Sequence, residues 1–255
     1  MPIHEGRDFG KDFQGPGMIR FILLNAFIAI DTIVMSLFGL FISIFDRTGK
    51  LVHAYCASPW AKSILWVCGV KVKIRGLDHI KGVDRGIYMA NHQSMFDIFT
   101  LLACLPVDFK FVLKKELMKI PFLGGAMRRA GYISIDRENP RNAVKSINEA
   151  AEKIKNGTSV LIFPEGTRSL DGRLQAFKKG GFHLAIKSRC NIVPVAIIDS
   201  HLVVPKGSLR IKKGTIKMSI GRPIPTTNYL KKEMNQLMEL VRDALINEMK
   251  ESQMS

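Results

Sequence analysis

The order of hydrophobic and polar positions divides the chain into two unlike parts. From Phe21 to Phe45 it reads FILLNAFIAIDTIVMSLFGLFISIF, an apolar stretch interrupted at Asp31-Thr32. As a helix at about 1.5 Å per residue it would rise roughly 37 Å, enough to cross a hydrocarbon core of about 30 Å. A carboxylate at mid-bilayer depth costs about 2.5–3.5 kcal/mol on insertion scales. The segment therefore either bends at Asp31, sending two short helices into one leaflet, or stays one helix that buries Asp31 against protein. It starts too late and runs too long for a signal peptide, and no small-x-small cleavage site follows Phe45. Membrane attachment, monotopic or spanning, is the expectation. Lys and Arg at both ends leave the orientation open.

Beyond Phe45 the periodicity changes. Residues 51–68 carry a broad helical stripe of Leu51, Val52, Tyr55, Cys56, Trp60, Ile64, Leu65 and Cys68. Alternating or continuous apolar runs then predict strands at 70–74, 86–90, 109–113, 132–135, 159–163, 192–198 and 215–220. Helices are predicted at 96–105, 182–188 and 229–250, and at 140–155. The last has Val144, Ile147, Ala151 and Ile154 on one face and Asn156-Gly157 at its end. Strands alternating with helices imply an α/β fold: a mixed, mostly parallel sheet covered by helices on both faces. It would occupy residues 61–255, behind a hydrophobic helical membrane-attachment region over residues 1–60.

Charge sharpens that division. The 255 residues carry a net charge of +16, yet residues 1–60 hold five basic and five acidic side chains. The surplus lies wholly behind residue 60, where 33 basic side chains face 17 acidic ones. A hydrophobic content of 47% excludes a disordered chain. The basic balance leaves three kinds of anionic partner: nucleic acid, a membrane surface, or a small phosphorylated substrate. Cys56, Cys68, Cys104 and Cys190 form no C-x-x-C pair, which suits free thiols in a reducing compartment and points to the cytoplasm.

Candidate chemistry sits just after predicted strands. Asn91-His92-Gln93-Ser94-Met95-Phe96-Asp97 follows the strand ending at Ala90. On a straight helix His92 and Asp97 would lie about 140° apart. They can meet only if His92 is on the turn and Asp97 in the first helical turn, with Ser94 as N-cap and Asp97 at its N3 position. A carboxylate bonded to one imidazole nitrogen fixes the tautomer and makes the other nitrogen a better base. The remaining histidines (His4, His53, His79, His183, His201) read as structural or exposed.

Phe163-Pro164-Glu165-Gly166-Thr167-Arg168-Ser169 follows another covered strand, where open α/β sheets bind ligands. Gly166 permits close backbone approach, and Arg168 offers a planar fork for phosphate oxygens. Glu165 would repel an anion, so it reads as orienting Arg168 or accepting a bond from a hydroxyl. Arg137, ending Gly131-Tyr132-Ile133-Ser134-Ile135-Asp136-Arg137, is either a second phosphate clamp or half of a surface ion pair. Missing are G-x-S-x-G, G-x-x-x-x-G-K-[ST], H-E-x-x-H and G-x-G-x-x-G. A lone activated histidine with a phosphate clamp suits deprotonating a hydroxyl on a phosphorylated substrate.

These blocks resemble those of the glycerolipid acyltransferase family. NHQSMFD matches its N-H-x4-D motif, GYISIDR its second block, FPEGTRS its third, followed by Phe177-Lys178-Lys179-Gly180, and IVPVAI its proline-containing fourth. Four blocks in order are far more specific than any one, and the likeness covers about residues 60–225. The resemblance implies transfer of a fatty acyl chain from acyl-CoA or acyl-carrier protein to lysophosphatidate, giving phosphatidate; glycerol-3-phosphate or another lysophospholipid is the alternative acceptor. It implies His92 as general base held by Asp97, with Arg137, Glu165, Gly166, Thr167 and Arg168 placing the acceptor. Backbone N–H groups near Gln93-Ser94 are the candidate oxyanion donors. No metal and no bound cofactor is implied. Lys206, Arg210, Lys212, Lys213, Lys217 and Arg222, with no acid among residues 201–222, would meet anionic headgroups or CoA phosphates. The setting is then an anionic membrane surface, with the active site facing the cytoplasm (the inner membrane of a bacterium). Nucleic acid drops to a remote third.

Overall fold

The computed structural model of the chain describes residues 16–135 and 140–253. Its apolar front is one unbroken helix, α1 (Pro16–Ile42), so no bend forms at Asp31. The second alternative holds instead: Asp31 accepts the Ser63 hydroxyl at 2.5 Å, and Thr32 accepts the Trp60 indole N–H at 3.2 Å. Asn25 donates to the Leu209 carbonyl at 3.2 Å. Apart from Arg20, exposed near the start of the helix, the polar side chains of α1 thus face the protein. Ile22, Leu23, Ile30, Val34, Leu37, Phe38 and Phe41 face outward and are exposed. This is the reverse of a soluble surface helix, whose apolar stripe would face the core. Residues Gly17–Ile42 are long and apolar enough to cross a membrane, and little of that span is covered by the rest of the protein.

A turn at Asp46–Gly49 leads into a second helical stretch, α2 (Lys50–Val52), a π-helical turn (His53–Ala57) and α3 (Ser58–Cys68). Asp46 accepts the N–H groups of Thr48, Gly49 and Val52, which ties down the start of this stretch. Gly69, at φ 69, ends α3 by turning back its N–H onto Leu65 and Trp66. Residue 60, drawn from the charge pattern as a boundary, lies within α3.

The body then alternates as expected: β1 (Val70–Arg75), β2 (Ile87–Ala90), α4 (Phe96–Cys104), β3 (Phe109–Lys114), α5 (Leu123–Arg129), β4 (Ile133–Ile135), α6 (Pro140–Lys155), β5 (Ser159–Ile162), α7 (Lys179–Ser188), β6 (Ile192–Ile198), α8 (Ser200–Val203), β7 (Gly214–Ile220) and α9 (Met234–Gln253). α9 begins later than its pattern suggested. A short 3₁₀ turn precedes it, in which Glu233 accepts the N–H of Leu230 at 2.8 Å.

Among the described residues the strands form one sheet in the order β1-β7-β6-β2-β5-β3-β4. β6, β2, β5, β3 and β4 are parallel, while β7 pairs antiparallel with β6 and parallel with β1. The sheet is mixed and mostly parallel, as the alternation implied. One face is covered by α3 and α4, with Ile64, Leu65, Phe99 and Leu101 against Tyr88, Phe109 and Val193. The other is covered by α6, α7 and α9, with Ile154, Phe182 and Leu237 against Ile87, Val160 and Ile192. β2, β5 and β6 are buried throughout, which is why they read as continuous apolar runs.

Candidate active site

β2 and β5 are neighbours running the same way, so the loops leaving their carboxyl ends emerge side by side. The first begins at Asn91, whose side chain donates to the Ile197 carbonyl at 2.7 Å and accepts the Ile197 N–H at 2.6 Å. An amide side chain here continues the pairing of β2 with β6 for one more step, which anchors the next residue, His92.

His92 and Asp97 do meet. Nδ1 of His92 lies 2.7 Å from Oδ2 of Asp97, and Asp97 is fully buried in the first turn of α4. A carboxylate only accepts, so Nδ1 carries the hydrogen and the lone pair is left on Nε2. The same Oδ2 accepts the N–H of Gln93 at 2.7 Å and of Ser94 at 2.9 Å. This corrects the expectation that those two N–H groups would serve as oxyanion donors: both are already committed to the carboxylate. The capping expected of Ser94 is half made. Asp97 reaches back to the Ser94 N–H, while the Ser94 hydroxyl donates to the Val204 carbonyl at 2.7 Å and accepts from Phe96 at 3.2 Å. α4 accordingly starts at Phe96.

The imidazole is fixed from its face as well. It stacks on Phe163 with centroids 3.9 Å apart and planes 14° apart, and Phe163 stacks in turn on Phe111 at 6.1 Å. The His92 side chain keeps 15% of its surface open. It is a held ring with one accessible edge.

The second loop braces the first. Glu165 is 2% exposed, and its two oxygens accept the N–H groups of His92 at 2.6 Å and Gln175 at 2.7 Å. Burial pushes its pKa above the ordinary carboxylate range, opposed by those two bonds. Glu165 therefore does not orient Arg168, as one sequence reading had it; it ties three segments of chain together. Gly166 adopts φ 74, a left-handed turn at which a side chain would be strained. Thr167 is exposed and Arg168 half-buried, and among the described residues the Arg168 guanidinium joins no ion pair. Lys206, from the basic stretch, bonds the Thr167 hydroxyl at 3.2 Å and the Arg168 carbonyl at 2.8 Å. Arg137 lies outside the described residues.

The Gln93 side chain, to which the sequence assigns no role, is buried at the centre of a network. Its amide donates to the Gly172 carbonyl at 2.8 Å and accepts from His201 Nδ1 at 3.1 Å. Gly172, at φ 78, leaves no room for a side chain, since one would lie 2.6 Å from the His201 ring. His201 is thus a structural partner of the His92 loop. The signal that would have found Gln93 and Asn91 is their polarity in a strand-end segment otherwise closed to water. No group of three or more His, Cys, Asp or Glu is arranged to hold a metal ion among the described residues.

Comparison with known proteins converges on one family. Residues 71–198 match the model of the family described as Acyltransferase. The 1-acyl-sn-glycerol-3-phosphate acyltransferase of Limnanthes douglasii is 37% identical over 191 residues, covering 74% of this chain and 67% of that one. A Saccharomyces cerevisiae protein of the same name is 37% identical over 187 residues, covering 72% of this chain and 61% of that one. Alignments with five plant relatives span 58–67% of those proteins' length. The crystal structure of the 1-acyl-sn-glycerophosphate (LPA) acyltransferase PlsC from Thermotoga maritima superposes with a TM-score of 0.77 at 26% identity. It covers 92% of this chain and 96% of that one.

Proposed function

The chain belongs to the acyltransferase family, and from that premise we propose that it acylates the free hydroxyl of 1-acyl-sn-glycerol-3-phosphate to give phosphatidate. The acyl donor is acyl-CoA or acyl-carrier protein. The thioester is already activated, so no covalent enzyme intermediate is required. Nε2 of His92 takes the proton of the acceptor hydroxyl as that oxygen attacks the thioester carbonyl. The C–O bond forms, the C–S bond breaks, and the proton leaves with the thiol. Asp97 holds the imidazole in the tautomer that makes Nε2 the base and stabilises the imidazolium that forms.

Arg168, with Gly166, Thr167 and Arg137, places the acceptor's phosphate, and Glu165 keeps their loop in register with His92. The outward apolar face of α1 attaches the protein to an anionic membrane, and the body faces the cytoplasm, where its four free cysteines stay reduced. The observation that carries the reading is the 2.7 Å bond between a partly open imidazole and a fully buried carboxylate at the carboxyl end of β2.

The test is an acyl-transfer assay of the full chain with lysophosphatidate and acyl-CoA. His92→Ala should lower turnover by about 10²–10⁴-fold with the melting temperature kept. Near-normal turnover in that variant would sink the mechanism. Turnover only with a non-phosphorylated acceptor would sink the substrate assignment.

A further inference from the structure

The segment after β3 leaves the same end of the sheet as the His92 and Glu165 loops, because β3 runs parallel to β5 and β5 to β2. A 3₁₀ turn over Lys115–Lys119 brings the chain to Ile120-Pro121-Phe122. There the N–H of Leu123 donates to the Pro121 carbonyl at 2.6 Å, and Phe122 adopts φ 60, ψ −57. This is a three-residue γ-turn of the strained hand, uncommon for any residue and costly for a bulky one. The chain closes tightly around the bend: the Gly124 N–H donates to the Ile120 carbonyl at 2.8 Å, and a side chain at Gly124 would lie 2.1 Å from the Met118 carbonyl oxygen. Strain held in place like this is a pointer to use.

What the strain presents is an unpacked ring. Phe122 is 49% exposed, with Leu117 at 42% and Ile120 at 41% beside it in sequence. Two further observations identify what covers them. α5 begins at the next residue and packs on the end of α1, with Gly125 against Leu40 and Gly39 against Ala126. The turn therefore lies next to the end of α1, where Phe38, Phe41 and Phe45 are exposed. In sequence it is flanked by Lys114, Lys115, Lys119, Arg128 and Arg129, of which Arg128 donates to the Met118 carbonyl, with Glu116 the sole acidic residue from 114 to 129. Apolar side chains ringed by cations are the pattern of a surface that enters the boundary between headgroups and acyl chains of an anionic bilayer.

We propose that Leu117, Ile120 and Phe122 form a second point of membrane insertion, separate from α1, that seats the active-site end of the sheet on the bilayer. The proposal rests on the membrane-attached reading above.

It is tested on the full chain carrying Phe122→Trp with Trp60→Phe and Trp66→Phe, mixed with phosphatidylglycerol–phosphatidylcholine vesicles whose acyl chains are brominated near the headgroup. The introduced indole should shift to the blue and be quenched. A chain that co-sediments with vesicles while the indole stays unquenched overturns the wedge and leaves the α1 attachment standing. Quenching by brominated acyl-CoA but not by brominated lipid overturns it in favour of the acyl donor. A chain that does not co-sediment at all overturns both readings.

Phe122→Gly supplies the second arm, because glycine accepts φ 60 without strain. Its melting temperature should hold or rise while vesicle affinity falls about tenfold. A lower melting temperature with unchanged affinity would assign Phe122 to packing instead.

Discussion

His92 and His53 each lie near an aspartate, and the two pairs differ in what else holds the carboxylate. Asp97 accepts the His92 ring N–H and two backbone N–H groups, all neutral donors. Asp108 is already bonded to the Lys110 ammonium at 2.7 Å, and His53 Nδ1 stands off at 3.8 Å without a hydrogen-bond partner among the described residues. Lys110, itself buried, also donates to the Gly49 carbonyl at 3.0 Å, which fastens the turn behind α1 to the sheet. Burial lowers the pKa of His53, Asp108 opposes that shift and Lys110 adds to it. One pair directs a negative charge at an imidazole with an open edge. The other spends its charge on an ammonium and leaves the imidazole neutral inside the protein. The same two residue types therefore give one imidazole held by a carboxylate and one left apart from it.

Three experiments press on that contrast. Asp97→Asn should have the largest effect, lowering kcat by about 10³–10⁴-fold with KM little changed, because the amide no longer enforces the productive tautomer. Steady-state acyl transfer measures it, and a loss confined to KM would mean that Asp97 acts on binding.

Next comes Lys110→Met. It leaves Asp108 unpaired and the Gly49 carbonyl with the His53 N–H alone, and should cost about 2–3 kcal/mol of stability in thermal or urea unfolding. Turnover per folded molecule should stay near wild type. A turnover loss matching that of Asp97→Asn would erase the distinction between the pairs.

The smallest effect concerns pH. His53 has a folded pKa below its ordinary 6.5, so the unfolded chain binds the extra proton. Its contribution to stability is full above about pH 6.5 and is lost as pH falls toward the folded value. His53→Phe should flatten the acid limb of the stability profile below about pH 6.5. An unchanged limb would place the acid sensitivity elsewhere.

The first pair was legible in the sequence because both partners fall within one turn of chain after a strand, and local geometry decides whether they meet. The second was not, because His53 and Asp108 are brought together by the docking of the front against β3. The same division runs through the fold. Apolar runs marked β5 and β6 as covered strands, and Asn156-Gly157 marked the end of α6. The placement of β7 against β6 depends on long-range packing that no window of sequence contains. Asn91, Gln93 and Phe163 sit inside recognisable blocks, but their roles come from Ile197, His201 and the His92 ring, each from another part of the chain. Phe122 gave no signal at all, since nothing in a phenylalanine announces a positive φ.

The pairing of β1 with β7 has a consequence for how the molecule is assembled. β1 leaves α3 directly and is an edge strand, and its register joins Val70 to Gly214 and Arg75 to Ser219. On a ribosome the greasy helix and its companion emerge long before β7 is made. β1 must wait, unpaired, until β7 is made and fills the place between it and β6, and contacts so distant in sequence form slowly. On the membrane-attached reading the chain is committed to its bilayer before its sheet is closed, and the last strand synthesised locks the body to the helix that precedes it.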